Sequence, residues 1–133
     1  MSGWASLMGI ERRIDLSNLD LDRAAATIAA RRDGWVELGL TVHPITWMDN
    51  EAKWPRPLPT ERSQVRRPMS LGLHVEGSGA AEAEVVLYAG GWADVAVVAS
   101  SSTEPHQEYV ELDDADEFGE LLDRMVSRMV RAR

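Results

Sequence analysis

Three histidines, His43, His74 and His106, are the side chains best suited to metal binding or proton transfer, and no cysteine accompanies them. Imidazole metal sites announce themselves in sequence by short fixed spacings, because one turn or loop must aim both ligands at one ion. These three lie far apart on different expected elements, so no metal is assigned. Asp113-Asp114-Ala115-Asp116 opens like a calcium loop. Phe118 stands where the next ligand belongs, and a helix cap accounts for the acids. Glu76-Gly77-Ser78-Gly79 lacks the Gly-Lys-Ser/Thr of a phosphate loop and falls between two expected strands, so it reads as a hairpin turn. Ser100 to Thr103 offer hydroxyls without a partnered base. Carboxylates and histidines on a sheet face could in principle move protons, but a flat face does not exclude water and no single carboxylate stands out. The expectation is a protein that is not an enzyme, with no catalytic residues and no cofactors.

Aromatic residues and charge carry more information. The stretch Val85 to Val98, VVLYAGGWADVAVV, places Tyr88 and Trp92 on either side of a glycine turn. Tyrosine and tryptophan give large, stiff contact area with a polar handle, which suits binding surfaces. The net charge of −8 is uneven, since Met69 to Asp123 contains thirteen carboxylates and no Lys or Arg. Phosphate contacts need cations, so nucleic acid is not an expected partner of this half. A cationic protein is, although acidic surfaces also serve plain solubility. Thirteen of the fourteen basic residues are arginine, which with the abundant Ala and Val suggests a GC-rich bacterial genome. No apolar run approaches the roughly 20 residues that span a bilayer. MSGWASLMGIERR has no basic region ahead of its apolar residues and does not read as a signal peptide. With no cysteine present, a cytoplasmic location fits.

The 133 residues suffice for one domain, 1–133, with its own core. Leu16 to Asp33 predicts a helix, with Ser17 and Asp20 as a capping box, apolar residues at helical spacing and Gly34 as terminator. Two alternations follow. In Trp35 to His43, Val36, Leu38, Leu40 and Val42 point one way, and Trp35, Glu37, Thr41 and His43 the other. In Met69 to Glu76, Met69, Leu71, Leu73 and Val75 oppose Ser70, Gly72, His74 and Glu76. The next hairpin allows a register test. A two-residue turn at Gly90-Gly91 would mix apolar and charged residues on both faces. A three-residue loop, Ala89-Gly90-Gly91, sets Tyr88 against Trp92 and Val86 against Asp94, and gathers Ala83, Val85, Leu87, Ala93, Val95 and Val97 on one face. The same reasoning pairs Val75 with Ala83, Leu73 with Val85 and His74 with Glu84. A short strand at Tyr109 to Leu112 precedes a terminal helix capped by Asp113 or Asp114, with Phe118, Leu121, Leu122, Met125, Val126 and Met129 as its apolar stripe.

The fold class is therefore α+β: a four- to five-stranded antiparallel meander with an N-terminal and a C-terminal helix packed on one face. Pro44 to Pro68 is a Pro-rich basic insertion at 44–68, expected to be extended and pinned by Trp47 and Trp54. It either leaves the outer sheet face free or folds across it with its cations. The expected partner-binding set is Trp35, Glu37, His74, Glu84, Tyr88, Trp92 and Asp94, with Trp47 and Trp54 from the insertion.

The second half, EAEVVLYAGGWADVAVV followed by VELDDADEFGELLDRMV, resembles small actinobacterial immunity proteins of the TriTu type from polymorphic toxin systems. Leu87, Tyr88, Gly91, Asp94, Phe118, Leu121 and Leu122 are the matching positions, and the insertion at 44–68 departs from that pattern. The resemblance implies an immunity factor that masks the active site of a cognate protein toxin with a basic surface. A secretion chaperone-like fold, which holds peptides and dimerises through its sheet, is the alternative; a small-ligand-binding domain or an enzyme comes after it. An exposed strand edge makes a homodimer a possible state.

Overall fold

Side-chain direction alternates along a strand, so one glycine turn settles which residues of this protein are buried. In the computed structural model, which describes residues 18–51, 58–99 and 104–131 (Arg131 by its backbone alone), Gly91 adopts φ +108° at the end of the Ala89-Gly90-Gly91 loop. Tyr88 then pairs with Trp92, Val86 with Asp94 and Val85 with Val95, as the register test requires. Ala83, Val85, Leu87, Ala93, Val95 and Val97 are all buried.

The elements run α1 (Leu21–Glu37), β1 (Thr41–Val42), β2 (Thr46–Asp49), a 3-10 turn (Arg62–Gln64), β3 (Pro68–Glu76), β4 (Glu82–Tyr88), β5 (Trp92–Val98), β6 (His106–Glu111) and α2 (Ala115–Arg131). The sheet is antiparallel in the order β1-β3-β4-β5-β6, and β2 pairs with β3 on the same edge as β1. Leu73 sits opposite Val85, Val75 opposite Ala83 and His74 opposite Glu84. Both helices cover the face that carries Leu71, Leu73, Val85 and Leu87, and all of these belong to one hydrophobic cluster. The architecture is α+β, as expected. No helix among the described residues is long and apolar enough to cross a membrane.

The beginning of the domain differs from expectation. Ser17 and Leu16 lie outside the described residues. Asp20 is the N-cap of α1, its Oδ1 accepting from the N–H groups of Asp22 and Arg23. The helix does not stop at Gly34 but continues to Glu37, so Trp35, Val36 and Glu37 are helical and not strand. The stripe Leu21, Ala24, Ile28, Trp35 has helical spacing, with Trp35 seven residues beyond Ile28, and burial of the indole extends the helix. It closes in a Schellman motif: the Leu40 N–H donates to the Trp35 carbonyl, the Gly39 N–H to that of Val36, and Gly39 takes φ +89°. Val36 and Leu38, assigned to the greasy face by alternation, are 55% and 58% exposed.

The first strand is correspondingly shorter and moved toward the insertion. Thr41 and Val42 pair with Glu76 and Val75, and His43 still donates its N–H to the His74 carbonyl. Pro44 has no N–H to give, and the ladder resumes only at Thr46. The insertion is thus partly sheet. Its described remainder wraps the sheet edge toward the helices: Val65 is in the core, and Arg62 forms a paired hydrogen bond with Asp22 at 2.7 and 3.1 Å. That carboxylate raises the Arg62 pKa. Asp49, only 8% exposed, accepts the N–H groups of Arg66, Glu51 and Arg67. The Arg66 bond foremost, then that of Glu51, holds its carboxyl below the usual range against the opposing effect of burial.

At the other end, Asp114 and Glu117 form a reciprocal cap. Asp114 Oδ1 accepts from the Glu117 N–H, and Glu117 Oε1 from the Asp113 N–H. All six residues of the expected α2 stripe are buried. Gly119 permits close approach to α1, since a Cβ there would stand 2.8 Å from Arg31 Nη2. Arg31 instead lies across that gap to bind Asp123 in a fork, at 2.8 and 3.2 Å.

Two outcomes test this packing. Leu73→Ala costs about 2–5 kcal/mol in urea denaturation, whereas Val36→Ala changes stability by no more than about 0.5 kcal/mol; the reverse order would restore the strand assignment of Val36. For Asp49, a depressed folded pKa means stability that is present above the unfolded carboxylate value of about 3.9 and lost as pH falls through the folded value. The melting-temperature gap between wild type and Asp49→Asn is therefore full at pH 7 and closes as pH drops below 4.

Candidate outer-face binding site

The sheet face opposite the helices is built from the alternate residues of β3 to β6. Their order follows from register: Glu76 opposite Glu82, His74 opposite Glu84, Val86 opposite Asp94, Tyr88 opposite Trp92. Asp94 then faces Tyr109, Ala96 faces Gln107 and Trp92 faces Glu111. Strands β3 to β6 contain no lysine or arginine. A face with five exposed carboxylates and no cation of its own carries a negative potential that attracts positive surfaces.

The aromatic pair is held at the turn. The Tyr88 and Trp92 rings stack at 5.1 Å between centroids with 19° between planes. The indole lies over Gly90, where an added Cβ would come within 2.3 Å of its Cζ3. Gly90 thus makes room for the ring above it and has no positive φ. Asn18 donates its side-chain N–H to the Gly90 carbonyl at 3.1 Å, and Leu112 donates its N–H to that of Gly91 at 2.9 Å, so chain from both ends braces the loop. Beside it runs Tyr109, 55% exposed, its hydroxyl 3.3 Å from Glu111 Oε2. Two shallow grooves flank this ring. One, of about 430 Å³, lies among Glu84, Val86, Asp94, Ala96, Gln107 and Tyr109. The other, of about 330 Å³, lies between Trp92, Glu111 and Asn18.

Of the residues expected to bind a partner, His74, Glu84, Tyr88, Trp92 and Asp94 share this face. Three do not join them. Trp35 is 5% exposed on the buried side of α1 and belongs to the core. Glu37 is exposed, but on the last turn of α1. Trp47, opposite Leu71, points to the helix side at 3% exposure, with the Arg62 guanidinium 5.4 Å from its ring centroid. Trp54 lies outside the described residues. Two of the insertion's described cations are engaged elsewhere than on the acidic face: Arg62 binds Asp22, and Arg67 reaches Glu51 at 3.9 Å. Tyr109 was not among the expected set, although alternation from Gln107 through Glu111 places it on this face.

Comparison with protein-family models, with curated proteins and with solved structures finds no significant match to this chain. Gly90→Ala displaces the Trp92 ring from the turn and uncouples it from Tyr88. The expected result is an altered near-UV circular dichroism spectrum with an unchanged far-UV spectrum; an unchanged near-UV spectrum would mean that the indole does not rest on the loop.

Proposed function

We propose that this protein is a non-enzymatic binding domain that presents its outer sheet face to a cationic protein. The observation that carries the reading is the coincidence, on one regular surface, of a stacked Tyr88–Trp92 pair, an exposed Tyr109 and a field of carboxylates without a cation. Aromatic anchors supply contact area at low entropic cost, and the surrounding charge steers encounter and orientation. The grooves are open, which suits side chains of a partner better than chemistry that must exclude water.

Within that class, the reading is an immunity factor that covers the active site of a cognate toxin. A toxin acting on nucleic acid needs a basic cleft, and the carboxylates of Glu84, Asp94 and Glu111 would occupy it in place of phosphates. The resemblance of the second half to TriTu-type immunity proteins points the same way.

The test is direct reconstitution with the product of the gene immediately upstream. A 1:1 complex is expected, with an association rate that falls as salt rises. Trp92→Ala weakens it by about 2 kcal/mol or more, and Asp94→Arg slows association while the fold is retained. Absence of a complex removes the immunity assignment, and an affinity indifferent to Trp92 and Asp94 removes this face as the contact surface.

A further inference from the structure

Two histidines far apart in sequence meet at the far end of the same sheet face. The backbone bond from His43 to His74 aligns their side chains, and the imidazoles stack at 4.7 Å between centroids with 16° between planes. Two residues along β3, the Glu76 carboxylate stands 3.6 Å from His43 Nε2 and 3.9 Å from His74 Nε2. One ligand atom from each of the three lies within 4.8 Å of the others. Glu82, directly across the ladder from Glu76, bonds His74 Nε2 at 2.7 Å.

Two features of this cluster are unexplained by protein contacts alone. His43 Nε2 is buried without a hydrogen-bond partner, and it is the one such side-chain atom among the described residues. A buried polar atom without a partner is costly and marks a strained group or the place of a water or ion. Glu76 and Glu82 are like charges directly opposed on a ladder, an arrangement that destabilises it. Their ion pairs among the described residues are with the two histidines alone.

We propose that His43, His74 and Glu76 bind one divalent transition-metal ion of the zinc class, the three protein ligands leaving a fourth position to water. Two imidazole nitrogens with carboxylate oxygens suit zinc and its neighbours, whereas calcium and magnesium take oxygen ligands. Metal–ligand bonds of about 2.0–2.1 Å in a tetrahedral site place donors roughly 3.3 Å apart. The two Glu76 distances need to contract by a few tenths of an ångström to meet that value, the two imidazoles, whose ligand atoms lie within 4.8 Å of one another, to close on the ion, and Glu82 to release His74 Nε2. The ion would give His43 Nε2 its missing partner and place positive charge between the opposed glutamates. It would also clip β1 to the β3–β4 hairpin across the sheet edge that Pro44 interrupts. The three side chains are partly exposed, from 32% for His74 to 50% for Glu76, and the His43 Nε2 atom is covered, so an ion enters from solvent as that imidazole turns toward it.

Zn²⁺ titrated into the untagged full chain tests this, with binding followed by calorimetry and by the imidazole NMR signals. Expected are one Zn²⁺ per chain, a raised melting temperature, and shifts at His43 and His74 but not at His106. His43→Gln and His74→Gln each weaken binding by roughly tenfold or more, Glu76→Gln weakens it also, and His106→Gln leaves it unchanged. Circular dichroism confirms that each variant is folded. No saturable binding by the wild type, or binding equally tight in folded His43→Gln and His74→Gln, overturns the proposal.

Discussion

The parity of the β4–β5 turn is the constraint on which the rest of the structure depends. Three residues between Tyr88 and Trp92 put Leu87 and Ala93 on the same side as Val85 and Val95. With two, the charge of Asp94 would join the apolar row. Everything downstream inherits that parity. The apolar stripe of α2 has a continuous surface to cover only because the row is unbroken. Gly91 makes the turn possible at φ +108°, and Gly90 makes room for the indole that the turn turns outward. Two adjacent glycines thus have separate causes, one conformational and one steric.

Charge is arranged around this frame with equal regularity. Three arginines are engaged on the helix side or at its edge: Arg31 with Asp123, Arg62 with Asp22, Arg124 with Glu108. Strands β3 to β6, which build the outer sheet face, contribute none. Such segregation is not the cheapest way to remain soluble, since interspersed signs avoid repulsion between neighbours and serve that purpose equally well. A single-signed face is a departure from what folding asks, and departures of that kind concentrate where a surface has a task of its own.

Legibility in the sequence followed the range of the interactions. Strands β3, β4 and β5 could be read in full register because a period of two and a short turn are local facts, and they sufficed to place His74, Glu84, Tyr88, Trp92 and Asp94 on one face. The same holds for α2, whose cap and stripe lie within one segment. Residues 35 to 42 satisfied two periods at once. Alternation favoured a strand through Val36 and Leu38, while Trp35 stood two helical turns beyond Ile28. The larger burial won, and an indole in the core outweighs two exposed aliphatic side chains. Trp47 was misplaced for a different reason. Prolines on both sides hid a four-residue edge strand whose partner, Leu71, is remote in sequence. The meeting of His43 with His74 left no trace in any spacing rule, because it is made by pairing across a long insertion.

The ladder β3–β4 runs without a break from Glu76–Glu82 at one end to Ser70–Tyr88 at the other. Its aromatic end is braced by the N-terminal side of α1 and by the start of α2, through Asn18 and Leu112. The histidine end is held by less: Arg32 of α1 donates to the Val42 carbonyl at 3.2 Å, and the edge strand is two residues long, with one further backbone bond at His43 before the proline. Short, interrupted edges protect a sheet from unwanted pairing with other chains, at the cost of local stability. The stacked imidazoles and the two glutamates stand at this weak corner. Side-chain contacts there supply cross-linking that the backbone ladder, broken at Pro44, does not.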